Sequence, residues 1–189
     1  MPSLAPPRLV PAVAADLPVM QNLGRFYVYE MARSCHEIEG YGCPPDGLWE
    51  CMDLAPYFRE PRFHPFMLRG GEEPAGFAVV RAMDGGGWNM EQFFVTAPYQ
   101  RGGTGRRMFR ALLDRFPGKW RIEVLPQNAP ALAFWRSVAA EADSRVSETR
   151  EIVPDGEWAP VECIVLTLVA PFPAAEAGLR AQPFPARIP

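Results

Sequence analysis

Gln100-x-x-Gly103-x-Gly105 is a spacing suited to holding phosphate, with Arg101, Gly102, Thr104 and Arg106 between and beside its glycines. It lies between an apolar run, Phe93, Phe94 and Val95, and a segment of helical periodicity from Arg106 to Phe116. A glycine-rich turn at that place leaves backbone N–H groups pointing outward at the positive end of a helix dipole, and both features favour an anion. Residues without Cβ let a bulky pyrophosphate approach the backbone. A P-loop is excluded, because Gly105 is followed by Arg106 and Arg107 rather than by Lys and Ser or Thr. A dinucleotide fingerprint is excluded as well, because Met108 stands where a further glycine is required.

The elements that must position this loop follow from periodicity. Arg8 to Val13 reads as a strand, and Asp16 as an N-cap with Pro18 in the first helical turn. Met20, Leu23, Tyr27 and Met31 recur at three and four residues, so a helix is expected through about Arg33. Residues 34–62 are irregular and read as loops with one short helix. Phe66 to Arg69, Ala75 to Met83 and Asn89 to Val95 read as strands separated by the turns Gly70-Gly-Glu-Glu73 and Asp84-Gly-Gly-Gly87. The helix after the loop buries Met108, Phe109, Leu112, Leu113 and Phe116, keeps Arg106, Arg107, Arg110 and Arg115 outside, and stops at Pro117-Gly118. Trp120 to Leu125 is the next strand, a helix opens at Pro130, and Arg145 to Val153 and Val161 to Val169 form a last strand pair. The fold class is therefore a mixed α/β sheet: an antiparallel meander, then a βαβ-like unit, with helices on both faces. Residues 1–169 are expected to form one domain with 34–62 as an irregular insertion, followed by a proline-rich tail, 170–189.

The strand, the loop, the helix, the second strand and then Asn128-Ala-Pro-Ala131-Leu-Ala-Phe134-Trp135 occur in one order along the chain. Together they resemble the GNAT superfamily of N-acetyltransferases, with its pyrophosphate signature Gln/Arg-x-x-Gly-x-Gly/Ala and its N-x-x-A-x-x-F-Y segment. The resemblance spans Arg8 to Leu168 in the order of elements and is specific from Glu91 to Val138. It implies acetyl-CoA as cosubstrate and no metal. The pyrophosphate would lie on Gln100, Arg101, Gly102, Gly103, Thr104, Gly105 and Arg106, and Asn128, Phe134 and Trp135 would also face the cofactor. The strands ending at Val95 and beginning at Trp120 are expected to splay. The pantetheine arm would enter that gap and pair with the backbone of Phe93, Phe94 and Val95, while a β-bulge near Glu91 to Phe94 freed an N–H for the thioester carbonyl.

Acyl transfer to an amine needs few side chains. An alkylammonium has a pKa of ~10.4, so a carboxylate must remove a proton before the nitrogen can attack. Glu91 and Glu123 lie on the two splaying strands, with Glu30 on the first helix, and each is otherwise a surface carboxylate. Strand alternation puts Glu91 on the face of Phe93 and Val95 unless a bulge reverses it. In related chains the acid often occupies the position held here by Gln92. Trp135 stands where many members carry tyrosine; an indole donates a hydrogen bond but gives up no proton, so it is read as a wall of the cofactor channel. Tyr27, Glu30, Tyr57 and His64 are the expected acceptor-side residues, an aromatic and acidic lining that suits a cationic amine. The expected function is acetyl transfer to the primary amine of a small molecule. The alternatives are an acyl-CoA-binding sensor and a protein N-acetyltransferase.

A net charge of −3 (19 basic against 22 acidic side chains) argues against a general nucleic-acid binder. No apolar run approaches the ~20 residues of a membrane span, and no signal peptide is evident, so a cytoplasmic monomer or homodimer is expected. Cys35, Cys43, Cys51 and Cys163 lack zinc-ligand spacing and read as thiols in a reducing compartment.

Overall fold

The computed structural model describes residues 5–155 and 158–171. Strand β1 (Arg8–Pro11) leads through a 3-10 turn (Ala14–Asp16) into helix α1 (Leu17–Cys35), and the short helix α2 (Pro56–Arg59) closes the loop that follows. Strands β2 (Phe63–Gly70), β3 (Glu73–Ala82) and β4 (Trp88–Val95) form the antiparallel meander. Helix α3 (Thr104–Arg115), β5 (Gly118–Val124), α4 (Ala129–Ala142), β6 (Ser147–Asp155) and β7 (Trp158–Ala170) complete the order. The strands make one seven-stranded mixed sheet, β1-β2-β3-β4-β5-β7-β6, in which β4 and β5 run parallel. The tail expected from residue 170 lies, from 172 onward, outside the described residues, and Ala170 itself ends β7.

Two local expectations change. Asp16 does not cap α1 with its side chain: the 3-10 turn directs the carboxylate backward, where Oδ2 accepts the Val13 N–H at 2.9 Å and Oδ1 pairs with Arg69 on β2. Helix α3 begins at Thr104, earlier than Arg106, because Gly103 takes a left-handed conformation (φ +74°) that turns the chain straight into the first helical turn.

Strand alternation sorts the apolar residues into two layers. Phe66 and Leu68 on β2 join Phe109, Leu112, Trp120, Ile122 and Leu166 under α3 and α4. Met67 on the same strand joins Phe77, Val79, Tyr57, Met20 and Leu23 under α1 and α2. Strand β4 breaks this alternation once. Val79 pairs with Gln92 and Val80 with Met90, so Glu91 is an extra residue with no partner on β3. Met90 and Phe93, three apart, therefore pack on the α3/α4 side, while Phe94 packs on the α1 side. The bulge thus reverses the plain alternation, and Glu91 joins Asn89 and Gln92 on the α1 side, the face opposite Phe93 and Val95.

Strands β4 and β5 pair only at Trp88–Trp120 and Asn89–Arg121. Beyond that point β5 continues its ladder with β7, Ile122 facing Leu166 and Val124 facing Ile164, and β4 diverges from it. The expected splay is present.

Candidate functional site

The divergence of β4 from β5 opens a cleft of about 200 Å³. Met90, Glu91, Gln92 and Phe93 form one wall, and Ile122, Glu123 and Val124 the other. Trp135 and Ala131 of α4, with its cap residue Asn128, close the side below the sheet. Tyr27 and Met31 of α1, with Tyr41 and Met52 of the following loop, close the side above.

Both carboxylates of the splaying strands line this cleft, and each already carries a guanidinium. Oε2 of Glu91 accepts the Arg81 Nε–H at 2.6 Å and an N–H of Asn89 Nδ2 at 3.2 Å. Asn89 is itself buried, and its Oδ1 has no hydrogen-bond partner. Oε1 of Glu123 accepts the Arg121 Nε–H at 2.6 Å, and the same guanidinium reaches Oε2 of Glu151 at 2.8 Å. Burial opposes the Arg121 charge, but the hydrogen bonds it donates to Glu123 and Glu151 outweigh it and raise the pKa. Hydrogen bonds from Thr149 and Arg121 hold Glu151 below the usual carboxylate range.

Tyr57 approaches from α2. Gln92 Nε2 donates to its hydroxyl at 3.1 Å, and that hydroxyl lies 3.7 Å from the Met52 sulfur. Burial, with the Glu91 charge adding to it, pushes this phenol up to about 12. Tyr57 is therefore protonated at neutral pH and can donate a hydrogen bond, but it is a poor proton source.

The glycine loop lies at the end of β4. Gln100 Nε2 donates to the Val95 carbonyl at 2.8 Å, so its side chain ties the loop to the strand. Arg107 braces the loop from inside, donating to the Gly102 carbonyl at 2.9 Å and to Thr104 Oγ1 at 3.2 Å. Its own N–H reaches Gly103 O at 3.0 Å, which leaves the amides of Thr104, Gly105 and Arg106 at the unpaired end of α3. Arg101 holds a positive φ of 63° there. A Cβ at Gly102 would meet nothing within 4 Å, so the loop is open on that side. Gly105 differs: a Cβ there would lie 3.2 Å from the Phe134 ring, so the missing side chain also leaves room for an aromatic neighbour. Arg106 pairs with Glu141 and donates to Ser137 Oγ at 3.3 Å, which directs it to α4.

Phe93 stacks on Phe134 with centroids 5.9 Å apart and meets Trp135 edge-on at 4.9 Å; Trp135 also meets Phe109 at 5.2 Å. Trp135 is thus both a buried core residue and a cleft wall. Asn128 caps α4, its Oδ1 accepting the Ala131 N–H at 3.2 Å, and its Nδ2 lies 3.1 Å from the Met31 sulfur. The Phe94 ring lies 5.9 Å from Tyr27 on the α1 side, so only its backbone faces the splay.

Two sequence candidates stand apart. His64 sits on the α3 side, its ring 5.7 Å from Trp88 and 5.2 Å from Phe116, because strand alternation sends it with Phe66 and Leu68. Glu30 does not line the cleft; it lies 3.8 Å from Arg33 one turn along α1. Arg81, Asn89, Arg121, Met31 and Met52 were not anticipated at the site. The Arg121-x-Glu123 spacing places both side chains on one strand face and could have signalled that pair. Arg81 faces Asn89 only through the β3–β4 register, which the bulge shifts. Among the described residues no cluster of three or more metal-binding side chains occurs, and no helix is long and apolar enough to cross a membrane.

The solved structure of the ribosomal-protein-S18-alanine N-acetyltransferase from Escherichia coli resembles this chain with a TM-score of 0.57 at 19% identity, covering 93% of this chain and 100% of that one. An acetyltransferase from Thermus thermophilus gives 0.60 at 17% identity over 88% and 98%. At such identities the likeness speaks for the fold. Among curated proteins, none matches the sequence. A sequence model of the Acetyltransferase (GNAT) family matches residues 26–139, which is more than half of the chain. With the splayed β4–β5 pair, the bulge at Glu91 and the glycine loop at the head of α3, the chain belongs to the GNAT family of acetyltransferases.

Proposed function

We propose that this protein transfers an acetyl group from acetyl-CoA directly to the primary amine of a small molecule. The observation that carries the reading is the cleft itself: an unpaired stretch of β4 between a glycine loop with open helix amides and two carboxylates. The residues present fit the cosubstrate. The loop amides of Thr104 to Arg106 would hold the pyrophosphate, the free backbone edge of Phe93 to Val95 would pair with the pantetheine amides, and Trp135 would wall the arm. Acetyl-CoA supplies the acyl group as an activated thioester.

Glu91 is the favoured base. Its Oε2 is engaged by Arg81 and Asn89, which orients the carboxylate and leaves Oε1 to take the ammonium proton directly or through a water. The backbone N–H of the bulge is the candidate to hold the carbonyl oxygen as negative charge develops on it. Trp135 has no proton to offer, and Tyr57 at about 12 holds its own, so the thiolate takes its proton from solvent. A thiol of pKa ~8.5 makes that departure feasible near neutrality.

Two observations bear on the alternatives. The fold likeness to an enzyme that acetylates an S18 alanine supports a protein acceptor, whereas a cleft of about 200 Å³ supports a small one. Purified protein incubated with acetyl-CoA and pooled amines, with free thiol followed by colorimetry and products by mass spectrometry, tests the proposal. Amine-dependent thiol release with an acetylated small amine is the expected result. CoA binding without amine-dependent release would replace it with the acyl-CoA sensor.

A further inference from the structure

The acceptor side of the cleft has an unusual charge balance. Among the described residues lining it, Glu91 and Glu123 carry the formal charges, and each has a guanidinium nitrogen at 2.6 Å. Arg81 serves Glu91 alone, while Arg121 is shared between Glu123 and Glu151. Across these five groups a single negative charge remains uncompensated. Around these charges the wall combines the amides of Gln92 and Asn128 with an apolar and aromatic arc, Tyr27, Met31, Tyr41 and Met52, with Val153 and Val161 opposite.

Resting on the acetyl-transfer reading above, we propose that the acceptor is a monoamine whose one ammonium meets this carboxylate pair and whose flat apolar body lies against Tyr27, Met31, Tyr41 and Met52. The charge balance disfavours polycations. The uncompensated charge belongs to the Glu123–Arg121–Glu151 group on the β5 side of the cleft, where one ammonium entering at Glu123 balances it. A second would have to leave water with no unpaired carboxylate to receive it, and burying a charge without a partner is strongly unfavourable. The wall then decides the body of the ligand. Thioether side chains adapt to irregular apolar shapes, and tyrosine rings receive flat ones edge-on or stacked. The Met31 sulfur is held by Asn128 and the Met52 sulfur lies near Tyr57 and Gln92, so both side chains are positioned at the cleft rather than swinging free of it.

The test is calorimetric titration of the protein–CoA complex with methylamine, 2-phenylethylamine, spermidine and a short alanyl peptide at one ionic strength. 2-Phenylethylamine is expected to bind at least ~10-fold more tightly than methylamine, from burial of its ring, and at least as far ahead of spermidine. Met52→Glu, at a half-exposed loop position, adds an unpaired carboxylate and is expected to reverse the order by favouring spermidine. Spermidine or the peptide binding most tightly to the wild-type protein would overturn the proposal, as would equal affinity for methylamine and 2-phenylethylamine. Because binding is read without turnover, the expected order without thiol release would remove the acetyl-transfer reading and leave this ligand class standing.

Discussion

Replacing Glu91 by Gln removes the candidate base and almost nothing else. The amide has the same shape, and its oxygen can still accept from Arg81 and Asn89. The lost ion pair joins side chains 22% and 29% exposed, so the penalty should stay near ~1 kcal/mol, or about 2–4 °C in Tm for a chain of this size. A general base contributes ~10²–10⁴-fold, equivalent to about 3–5 kcal/mol of barrier. Activity should therefore fall far more than folding can explain. Thiol release at saturating acetyl-CoA, CoA affinity by calorimetry and Tm by scanning fluorimetry separate the two effects. Turnover should drop by that factor, and CoA affinity should hold within a few-fold. Glu123→Gln, which leaves Arg121 still paired to Glu151, serves as the control and should retain more activity. A Glu91→Gln enzyme with wild-type turnover would refute the assignment.

Other positions carry separate outcomes. Gly103→Val forces a β-branched residue to φ +74° with its Cβ 3.2 Å from Arg107, and should abolish measurable CoA binding while costing ~1–3 kcal/mol of stability. Gly105→Ala should instead press on Phe134, changing stability by ~1 kcal/mol in denaturant titrations and CoA affinity little; complete loss of CoA binding would show that phosphate, not Phe134, occupies that space. Tyr57 is held protonated when folded and titrates near 10 when unfolded, so its contribution is full below pH ~10 and is lost as pH rises toward 12. Tyr57→Phe should flatten the decline of stability above pH 10 measured by urea unfolding, with turnover changed only a few-fold. Trp135→Tyr should raise turnover only if thiolate departure limits the rate, whereas Trp135→Ala should weaken CoA binding and cost ~3–5 kcal/mol of stability, because the ring packs on both Phe93 and Phe109.

The glycine loop and the order of strands were legible because each has a local signature, while the splay followed from the resemblance of the whole run to a known family. Glycine spacing marks the turn, three-and-four periodicity marks α3, and a strand–loop–helix–strand run implies a parallel pair. The bulge was expected near Glu91, but the side that Glu91 would face depended on where the extra residue lay, and that is settled by the pairing of Val79 and Val80 with β4. The arginine partners were not legible for a related reason: Arg81 meets Glu91 across strands, and Glu151 meets Arg121 from β6, so both contacts are products of register. His64 has the composition of a site residue, yet one step of strand alternation places it beneath α3. The aromatic residues of 34–62 divide in the same way: Tyr41 reaches the cleft, while Trp49 packs against Tyr29 at 5.6 Å on an exposed part of α1.

The bulge acts on the strand as a phase slip acts on a wave. Upstream of it even-numbered residues face α3 and α4; downstream odd-numbered ones do, and at the slip Glu91 and Gln92 share the opposite side. Two adjacent positions are thus equivalent addresses for an acid, a freedom that a regular strand never offers. That redundancy lets a carboxylate at either position open onto the same cleft. It also makes the exchange Glu91→Gln with Gln92→Glu a nearly neutral move in space, set apart mainly by whether the acid greets Arg81 or the Tyr57 hydroxyl. A lineage could walk its base along this strand in single substitutions, without passing through an enzyme whose acid faces the wrong layer.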